Sequence, residues 1–130
     1  MLSQYLYIST APNLSRGDVD SILEASARPK PARGLSGLRL FSGRNFLPLI
    51  EGEESALVAL MVRIGNDPRH TGVSILERRA IEQRACPGWA MKRVLIAESI
   101  AGRRDQLERD LPADLDEQTR RIILNFAILN

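Results

Sequence analysis

Two apolar runs joined by a polar turn dominate the pattern of residues 34–52. Gly43 can supply the positive φ angle that a tight turn at residues 42–45 requires, so the pattern predicts a β-hairpin. The second run, residues 46–50, is apolar at every position instead of alternating, which is typical of a strand covered on both faces. Pro48 is unexpected there because proline has no N–H to donate to a neighbouring strand. We therefore expect a local bulge or a missing hydrogen bond at Pro48.

The rest of the chain alternates between strand-like and helix-like apolar patterns. Short β-branched or aromatic runs predict three more strands, at residues 4–9, at 71–76 with an extension over 78–83, and at 93–96. Apolar positions at helical spacing predict four helices, at residues 16–27, from 51–54 to 64, at 103–111, and from a cap at Asp114 to about Leu129.

The order of these elements, strand–helix–strand–strand–helix–strand, is that of the ferredoxin-like α+β fold. We predict a βαββαββ mixed sheet with the two main helices on one face and the C-terminal helix pair on the other. The first and third strands are expected to lie side by side and parallel. Leu47 and Leu49 should face the C-terminal pair, whereas Phe46, Pro48 and Ile50 should face the main helices.

Length and composition are those of one globular domain, with 130 residues of which 44% are hydrophobic and 26% charged. We expect a core over residues 1–98 and a helical extension over residues 99–130 packed on the sheet. No apolar run approaches the roughly 20 residues of a membrane span, and no signal peptide is expected. A single cysteine favours the cytoplasm. The net charge of +2, with acids and bases interleaved, argues against nucleic-acid binding.

Groups that could support catalysis are few. His70 and Cys86 are the only histidine and cysteine, and no catalytic triad, phosphate loop or metal-ligand spacing is present. A small enzyme on a ferredoxin-like scaffold is therefore a remote alternative, because a fold without a nucleophile or base does not indicate a reaction. Cys86 is interpreted as a structural or exposed thiol rather than a reactive one.

A polar cluster at the end of the second predicted helix allows two interpretations. It consists of Arg63, Asp67, Arg69 and His70. These residues form either a helix end whose charges face solvent or a binding site for an anionic or polar ligand. Trp89 and Met91 share one strand parity, which usually means core packing. Tyr7 is expected to point inward, where a buried phenol needs a hydrogen-bond partner.

Several short segments, in this order and at these spacings, resemble the BLUF family of flavin-binding blue-light sensors. The resemblance covers roughly residues 5–91, and the tail fits the C-terminal helices of the short, single-domain members. The segments are Tyr7 with residues 12–15, then residues 22–24, 34–38, 46–52, 67–70 and 86–91. The resemblance implies FAD bound between the two main helices, with its ring edge over the central strands.

The positions that would read the flavin ring depart from the family pattern. In the family, a tyrosine on the first strand and a glutamine on the third rearrange their hydrogen bonds to the ring when light is absorbed. Tyr7 matches the tyrosine, but Pro48 stands at the glutamine position. Pro29 and Lys30 stand where an asparagine pair normally holds the polar edge, and Arg39 replaces an apolar residue. The other flavin positions implied are Ile22, Ser26, Phe46, Arg63, Asp67, Arg69, His70, Trp89 and Met91.

Two functional hypotheses follow from this resemblance. The first is an FAD-binding blue-light sensor in which the glutamine-mediated photocycle is lost. The second is a degenerate BLUF domain without flavin that acts as a protein-interaction or oligomerisation module. Under either hypothesis the expected partners are further copies of the chain and an unidentified output protein, with no membrane and no nucleic acid.

Overall fold

The structure is a computed structural model that describes residues 1–10, 34–42, 45–66, 71–89, 92–94, 96 and 100–129. Within these residues the chain forms five strands and three helices. The strands are β1 Leu2–Thr10, β2 Ser36–Ser42, β3 Asn45–Glu53, β4 Thr71–Ala80 and β5 Lys92–Arg93. The helices are α1 Glu54–Gly65, α2 Ile100–Asp110 and α3 Glu117–Leu129. The helix predicted at residues 16–27 lies outside the described residues, so the numbering of helices starts at Glu54.

The five strands form one sheet in the order β4-β1-β3-β2-β5. The prediction that the first and third strands are neighbours is confirmed, but the prediction that they are parallel is wrong, because β1 and β3 pair antiparallel. The hairpin makes β3 antiparallel to β2, and β1 runs in the same direction as β2 on the other side of β3, so β3 is antiparallel to both neighbours. The parallel pairing of β2 with β5 makes the sheet mixed, as predicted.

The predicted hairpin is confirmed by the pairing of β2 with β3. Pairing runs without interruption from Ser36 opposite Glu51 to Ser42 opposite Asn45. Two residues therefore connect the strands, the connection length most common in tight hairpins. The side chains of Phe41 and Phe46 lie opposite each other near this end, with ring centroids 5.0 Å apart.

The two faces of the sheet carry separate apolar clusters. One cluster joins Leu47 and Leu49 to α2 and α3 residues such as Leu107 and Ile123. The prediction that the C-terminal helices cover this face is thereby confirmed. The other cluster consists of Tyr5, Tyr7, Leu35, Ile50, Leu57 and Leu60, and it packs α1 on the opposite face. Because strand residues alternate between faces, Phe46 and Pro48 share the face of Ile50.

Several element boundaries differ from the prediction. The second predicted helix begins at Glu54 and not within residues 51–53, because those residues continue β3. The cap of α3 is Asp116 and not Asp114, since one Asp116 oxygen accepts the backbone N–H groups of Gln118 at 2.9 Å and Thr119 at 3.4 Å. None of the described helices is long and apolar enough to cross a membrane.

The last two strands also differ from their predicted ranges, and α2 spans Ile100–Asp110 instead of residues 103–111. β4 is continuous through Ala80, whereas the pattern separated residues 71–76 from the extension. β5 is limited to Lys92–Arg93, one residue earlier than the predicted start. Val94 nevertheless donates its backbone N–H to the Arg39 carbonyl at 2.9 Å, which holds the chain beside β2.

Candidate functional site

Tyr7 and Pro48 face each other across β1 and β3 in the centre of the sheet. Pairing is present at Leu6–Leu49 and again at Ser9–Phe46, but the two residue pairs between them are unpaired. The register is the same on both sides of the gap, so no residue is inserted. Because proline has no N–H, this gap is the missing hydrogen bond predicted at Pro48, and the alternative of a bulge in β3 is wrong for this pairing.

The other neighbour of Pro48 is unaffected. Arg39 on β2 pairs opposite Pro48 without interruption. Tyr7, Pro48 and Arg39 therefore form a row across three strands, and cross-strand partners in such a row share one face. β1 also shifts register relative to β4 between Leu6 and Tyr7. Tyr7 thus lies where the pairing of β1 is irregular on both of its sides.

The Tyr7 side chain is buried, with 6% of its surface exposed. Burial raises the pKa of its phenol well above the ordinary value. Among the described residues, no group hydrogen-bonds to the Tyr7 hydroxyl, although the Tyr5 hydroxyl two residues earlier donates to a Glu54 oxygen at 2.7 Å. A buried phenol normally has a partner. The Tyr7 hydroxyl is therefore a polar group on this face that is available to a ligand.

Phe46 and Arg63 differ in how closely they approach this row. Phe46 is almost fully buried and packs its ring against Phe41, which forms an apolar wall beside Pro48. Arg63 is exposed in the last turn of α1. The remaining predicted ligand residues lie outside the described residues. These are Ile22, Ser26, Pro29, Lys30, Asp67, Arg69, His70 and Met91, and their assignments stay predictions.

Trp89 lies within the described residues, so its packing on the sheet can be stated. Its half-buried side chain packs against the cluster that contains Leu49 and the C-terminal helices, on the opposite face of the sheet from Tyr7. The Lys92 ammonium lies 4.3 Å from the centre of its ring, a cation–π contact. The assignment of Trp89 to the flavin site, which the resemblance implies, stays a prediction. The interpretation of Trp89 as a packing residue agrees with the structure.

Sequence reasoning missed Glu51, which it assigned to a helix start because acids are common in first turns. The side chain is fully buried in β3, and its carboxylate accepts four hydrogen bonds. The donors are the Gln4 amide, the Ser36 hydroxyl and the backbone N–H groups of Ala85 and Cys86. The available signal was an acid that directly follows a continuous apolar strand.

Cys86 is a buried thiol beside this carboxylate. Burial, and to a smaller extent the negative charge of Glu51, raise the pKa of Cys86 to about 12. The thiol is thus protonated at neutral pH and is a poor nucleophile. Within the described residues, no group of three or more metal-ligating side chains is present. The structural interpretation of Cys86 agrees with this geometry.

Comparison with known proteins identifies the family to which the chain is similar. A family model described as "BLUF: Sensors of blue-light using FAD" matches residues 2–92. The photoactivated adenylate cyclase subunit beta of Euglena longa is 33% identical over 92 residues, which are 69% of this chain. The corresponding subunit of Euglena gracilis is 32% identical over the same length. The chain spans only 11% of the length of each of these relatives.

Solved structures give the same result. Klebsiella pneumoniae BlrP1 with FMN and cyclic diGMP has a TM-score of 0.82 at 26% identity, over 98% of this chain and 34% of that chain. The dark-state structure of BlrB, a BLUF protein, has a TM-score of 0.73 at 28% identity, over 98% of this chain and 94% of that chain. The family match, the relatives and the shared fold lead to one conclusion: the chain belongs to the BLUF family of flavin-binding blue-light sensors.

Proposed function

We propose that this chain is a BLUF domain that binds FAD weakly beside Tyr7 and lacks the glutamine-mediated photocycle. The observation that carries the proposal is Pro48 facing Tyr7, with the pairing between their strands interrupted. A proline side chain has neither a donor nor an acceptor to exchange with a flavin ring. A hydrogen-bond switch that needs a side-chain amide at residue 48 therefore cannot operate.

The residues on the Tyr7 face fit a flavin in part. The Tyr7 hydroxyl, without a partner among the described residues, suits a polar ring edge, and the buried Phe46 ring offers an apolar wall. Lost polar contacts at Pro48 and Pro29 oppose binding. At about 1 kcal/mol each, the two losses weaken affinity by roughly 30-fold. Because the remaining contacts favour binding and the lost contacts oppose it, we expect FAD to be bound weakly.

The other implied ligand residues complete the proposal. We assign Ile22 and Ser26 to the wall of the flavin site and Lys30 to a donor towards a ring carbonyl. Arg63, Asp67, Arg69 and His70 are proposed to hold the polar parts of FAD at the end of α1. When bound, FAD would supply blue-light absorption, and these side chains would bind and orient it.

An absorption spectrum tests this proposal. The protein is purified in the dark, FAD is added, and visible spectra are recorded before and after blue illumination. We expect FAD uptake that is lost on dilution, and no reversible red shift of the flavin band. A reversible red shift would overturn the claim that the photocycle is lost. A protein that takes up no FAD at millimolar concentration, measured after free FAD is separated by ultrafiltration, would overturn the claim of binding and favour the flavin-free interaction module.

The chain is also proposed to act through other proteins. The relatives named above are adenylate cyclase subunits, in which the matched region is a small part. In this chain, Ile75 and Leu76 are 39% and 43% exposed on β4, which is an edge strand among the described strands. An exposed edge with apolar side chains is a common contact surface. We therefore propose a homo-oligomer formed through β4.

Light scattering after gel filtration measures this oligomer. Ile75→Lys with Leu76→Lys should lower the measured mass to that of one chain, because two charges would be placed in the contact. Val62→Lys is the matched control, since Val62 is exposed on α1 and not on the edge strand. A wild-type protein that is monomeric at all concentrations contradicts the proposal.

A further inference from the structure

We infer that Glu51 is a positioning residue that holds residues 84–89 on the sheet and makes their position depend on β3. Its carboxylate is fully buried, and it accepts the backbone N–H of Ala85 at 3.0 Å and of Cys86 at 2.6 Å. Residues 84–89 form no helix or strand, so these N–H groups have no ladder to satisfy them. A buried carboxylate is tolerated only when its hydrogen bonds are made.

Two side chains complete the arrangement on the sheet side. One carboxylate oxygen accepts from the Ser36 hydroxyl at 3.0 Å, and the other accepts from the Gln4 amide at 3.2 Å. Each oxygen thus receives one backbone N–H and one side-chain donor, which uses the four acceptor positions of a carboxylate. We call Gln4, Ser36, Glu51, Ala85 and Cys86 the Glu51 cluster. It joins β1, β2 and β3 to residues 84–89.

Arg84 strengthens the same connection from the other side. Its guanidinium donates to the Ser36 hydroxyl at 2.7 Å and to the Glu51 carbonyl at 3.1 Å, and it also contacts the Gly34 carbonyl. At the far end of the segment, the Gly37 N–H donates to the Trp89 carbonyl at 2.8 Å. The segment is therefore fixed to β2 and β3 at its start and to β2 at Trp89, and Glu51 takes part in three of the six hydrogen bonds that hold it there.

The position of Glu51 means that it both holds residues 84–89 on the sheet and transmits movements of β3 to them. It lies three residues after Pro48 on the same strand. A shift of β3 along its length at Pro48 moves the carboxylate, and the two backbone N–H groups must follow it or lose their acceptor. Because an unsatisfied buried N–H is costly, the segment follows. This inference does not depend on flavin.

The substitution Glu51→Gln tests the inference because it keeps the shape and removes one acceptor. The Ser36 hydroxyl can rotate and the Gln4 amide can flip, so both can adapt to a new N–H₂ group. The backbone N–H groups cannot. Whichever way the new amide points, either Ala85 or Cys86 loses its acceptor. We expect the hydrogen-exchange rate of that amide, followed by NMR, to rise roughly tenfold or more.

Trp89 is the only tryptophan, so its fluorescence reports the same segment. We expect its emission to shift to the red and its quenching by acrylamide to increase in Glu51→Gln. Glu53→Gln is the matched control, because Glu53 is exposed and two residues away on the same strand. Leu57→Ala controls for general destabilisation, since Leu57 is buried in the cluster on the Tyr7 face. Neither control should change the Ala85 and Cys86 amides selectively.

The outcomes separate a positioning role from a merely structural one. The inference is supported if, well below the melting temperature, Glu51→Gln raises the hydrogen-exchange rate only at the backbone amides of residues 85–86 and also alters the Trp89 emission. The inference is overturned if the exchange rates at residues 85–86 change equally in Glu51→Gln and Leu57→Ala, or if they do not change in Glu51→Gln. Should Glu51→Gln fail to fold, Ser36→Ala removes at lower cost a side-chain donor that orients the carboxylate oxygen accepting from Cys86. The less firmly held oxygen should raise Cys86 exchange at least threefold. Unchanged exchange in Ser36→Ala would then overturn it. All measurements are made in the dark without added FAD.

Discussion

Pro48 changes the sheet on one side only. Its missing N–H removes two residue pairs from the pairing with β1, while the pairing with β2 continues through Arg39. This one-sided effect follows from strand geometry, because the N–H and C=O of one residue point to the same neighbouring strand in an antiparallel sheet. Burial of Leu47 and Leu49 on one face and Ile50 on the other keeps β3 in place despite the lost bond.

Replacing Pro48 tests how much of the family function is missing at this residue. Pro48→Gln restores both an N–H for β1 and a side-chain amide for the flavin. We expect a new protected amide at residue 48 by hydrogen exchange. Combined with Lys30→Asn, we expect about tenfold tighter FAD binding, the effect of one added hydrogen bond of about 1.4 kcal/mol.

The matched control for this pair of variants is Pro48→Val with Lys30→Asn. Valine restores the backbone N–H but has no side-chain amide. The backbone amide at residue 48 should therefore become protected from exchange, without the side-chain contribution to FAD affinity. Affinity is read from the quenching of FAD fluorescence on titration with protein. Equal affinities for the two combinations would mean that the side chain at residue 48 does not reach the flavin.

Cys86 provides a chemical test of burial at the residue scale. Because its pKa is raised to about 12, first by burial and then by Glu51, the thiol is protonated at pH 8. We expect no reaction with a disulfide reagent such as DTNB over an hour in the native state, and one equivalent within minutes in guanidinium chloride. Gln83→Cys, at an exposed position three residues earlier, is the positive control. Rapid native labelling of wild-type Cys86 would contradict the buried placement.

The helix starts show how an element boundary depends on contacts from elsewhere. α1 begins at Glu54, whose N–H donates to the Met1 carbonyl at 2.9 Å, and Glu53 provides no side-chain cap. α3 begins after Asp116, which caps the helix and also pairs with Arg79 on β4 at 2.9 Å. The sequence pattern favoured Asp114 as the cap, and only the structure shows that Asp116 accepts the first N–H groups of the helix and pairs with Arg79.

Asp116 gives a pH-dependent prediction at the element scale. Desolvation acts to raise its pKa, but the N–H groups of Thr119 and Gln118 together with Arg79 outweigh this, and the pKa is lowered. A lowered pKa in the folded state means that the stabilisation is present above the unfolded-state pKa, about 4. It is lost as the pH falls through the folded-state value.

Thermal melts measure this effect. Asp116→Ala should melt a few degrees below wild type at pH 7, and the difference should shrink as the pH falls from about 4 to 2. Asp114→Ala is the matched control and should melt like wild type at both pH values, because α3 is capped by Asp116. A difference for Asp116→Ala that stays constant with pH would contradict a charged cap.

At the scale of the whole molecule, the sheet separates two apolar clusters, one on each of its faces. The cluster on the side of α2 and α3 holds the larger set of fully buried side chains among the described residues, including Leu49, Leu107 and Ile123. The cluster on the Tyr7 side is smaller and includes the buried phenol. We expect the helical extension to contribute strongly to stability, because it covers a face that would otherwise expose several leucines.

Ile123→Ala tests this contribution. Removing a fully buried side chain from α3 should cost about 2–5 kcal/mol in the free energy of unfolding, whereas Val62→Ala, at a 60% exposed position on α1, should cost less than about 0.5 kcal/mol. Both values are measured by urea unfolding. Trp89 fluorescence and far-UV circular dichroism should give one coincident transition. Separate transitions would mean that the extension unfolds independently of the core.

The sequence by itself determined the approximate positions of the strands, the hairpin, the faces of residues 46–50 in β3 and the family. Local patterns are enough for these features because the alternation of apolar residues and turn chemistry act over a few positions. They also sufficed to predict a bulge or a missing hydrogen bond at Pro48, whereas the position of Tyr7 opposite Pro48 came from the structure.

Only the tertiary structure decided the direction of β1 relative to β3, the cap of α3, the side of the sheet that holds Trp89, and the role of Glu51. Each of these depends on groups far apart in the chain. Glu51, for example, is satisfied by donors 47, 15, 34 and 35 residues away. A buried charge is favourable only when such donors converge on it, and their convergence is a property of the folded chain that no local pattern of residues encodes.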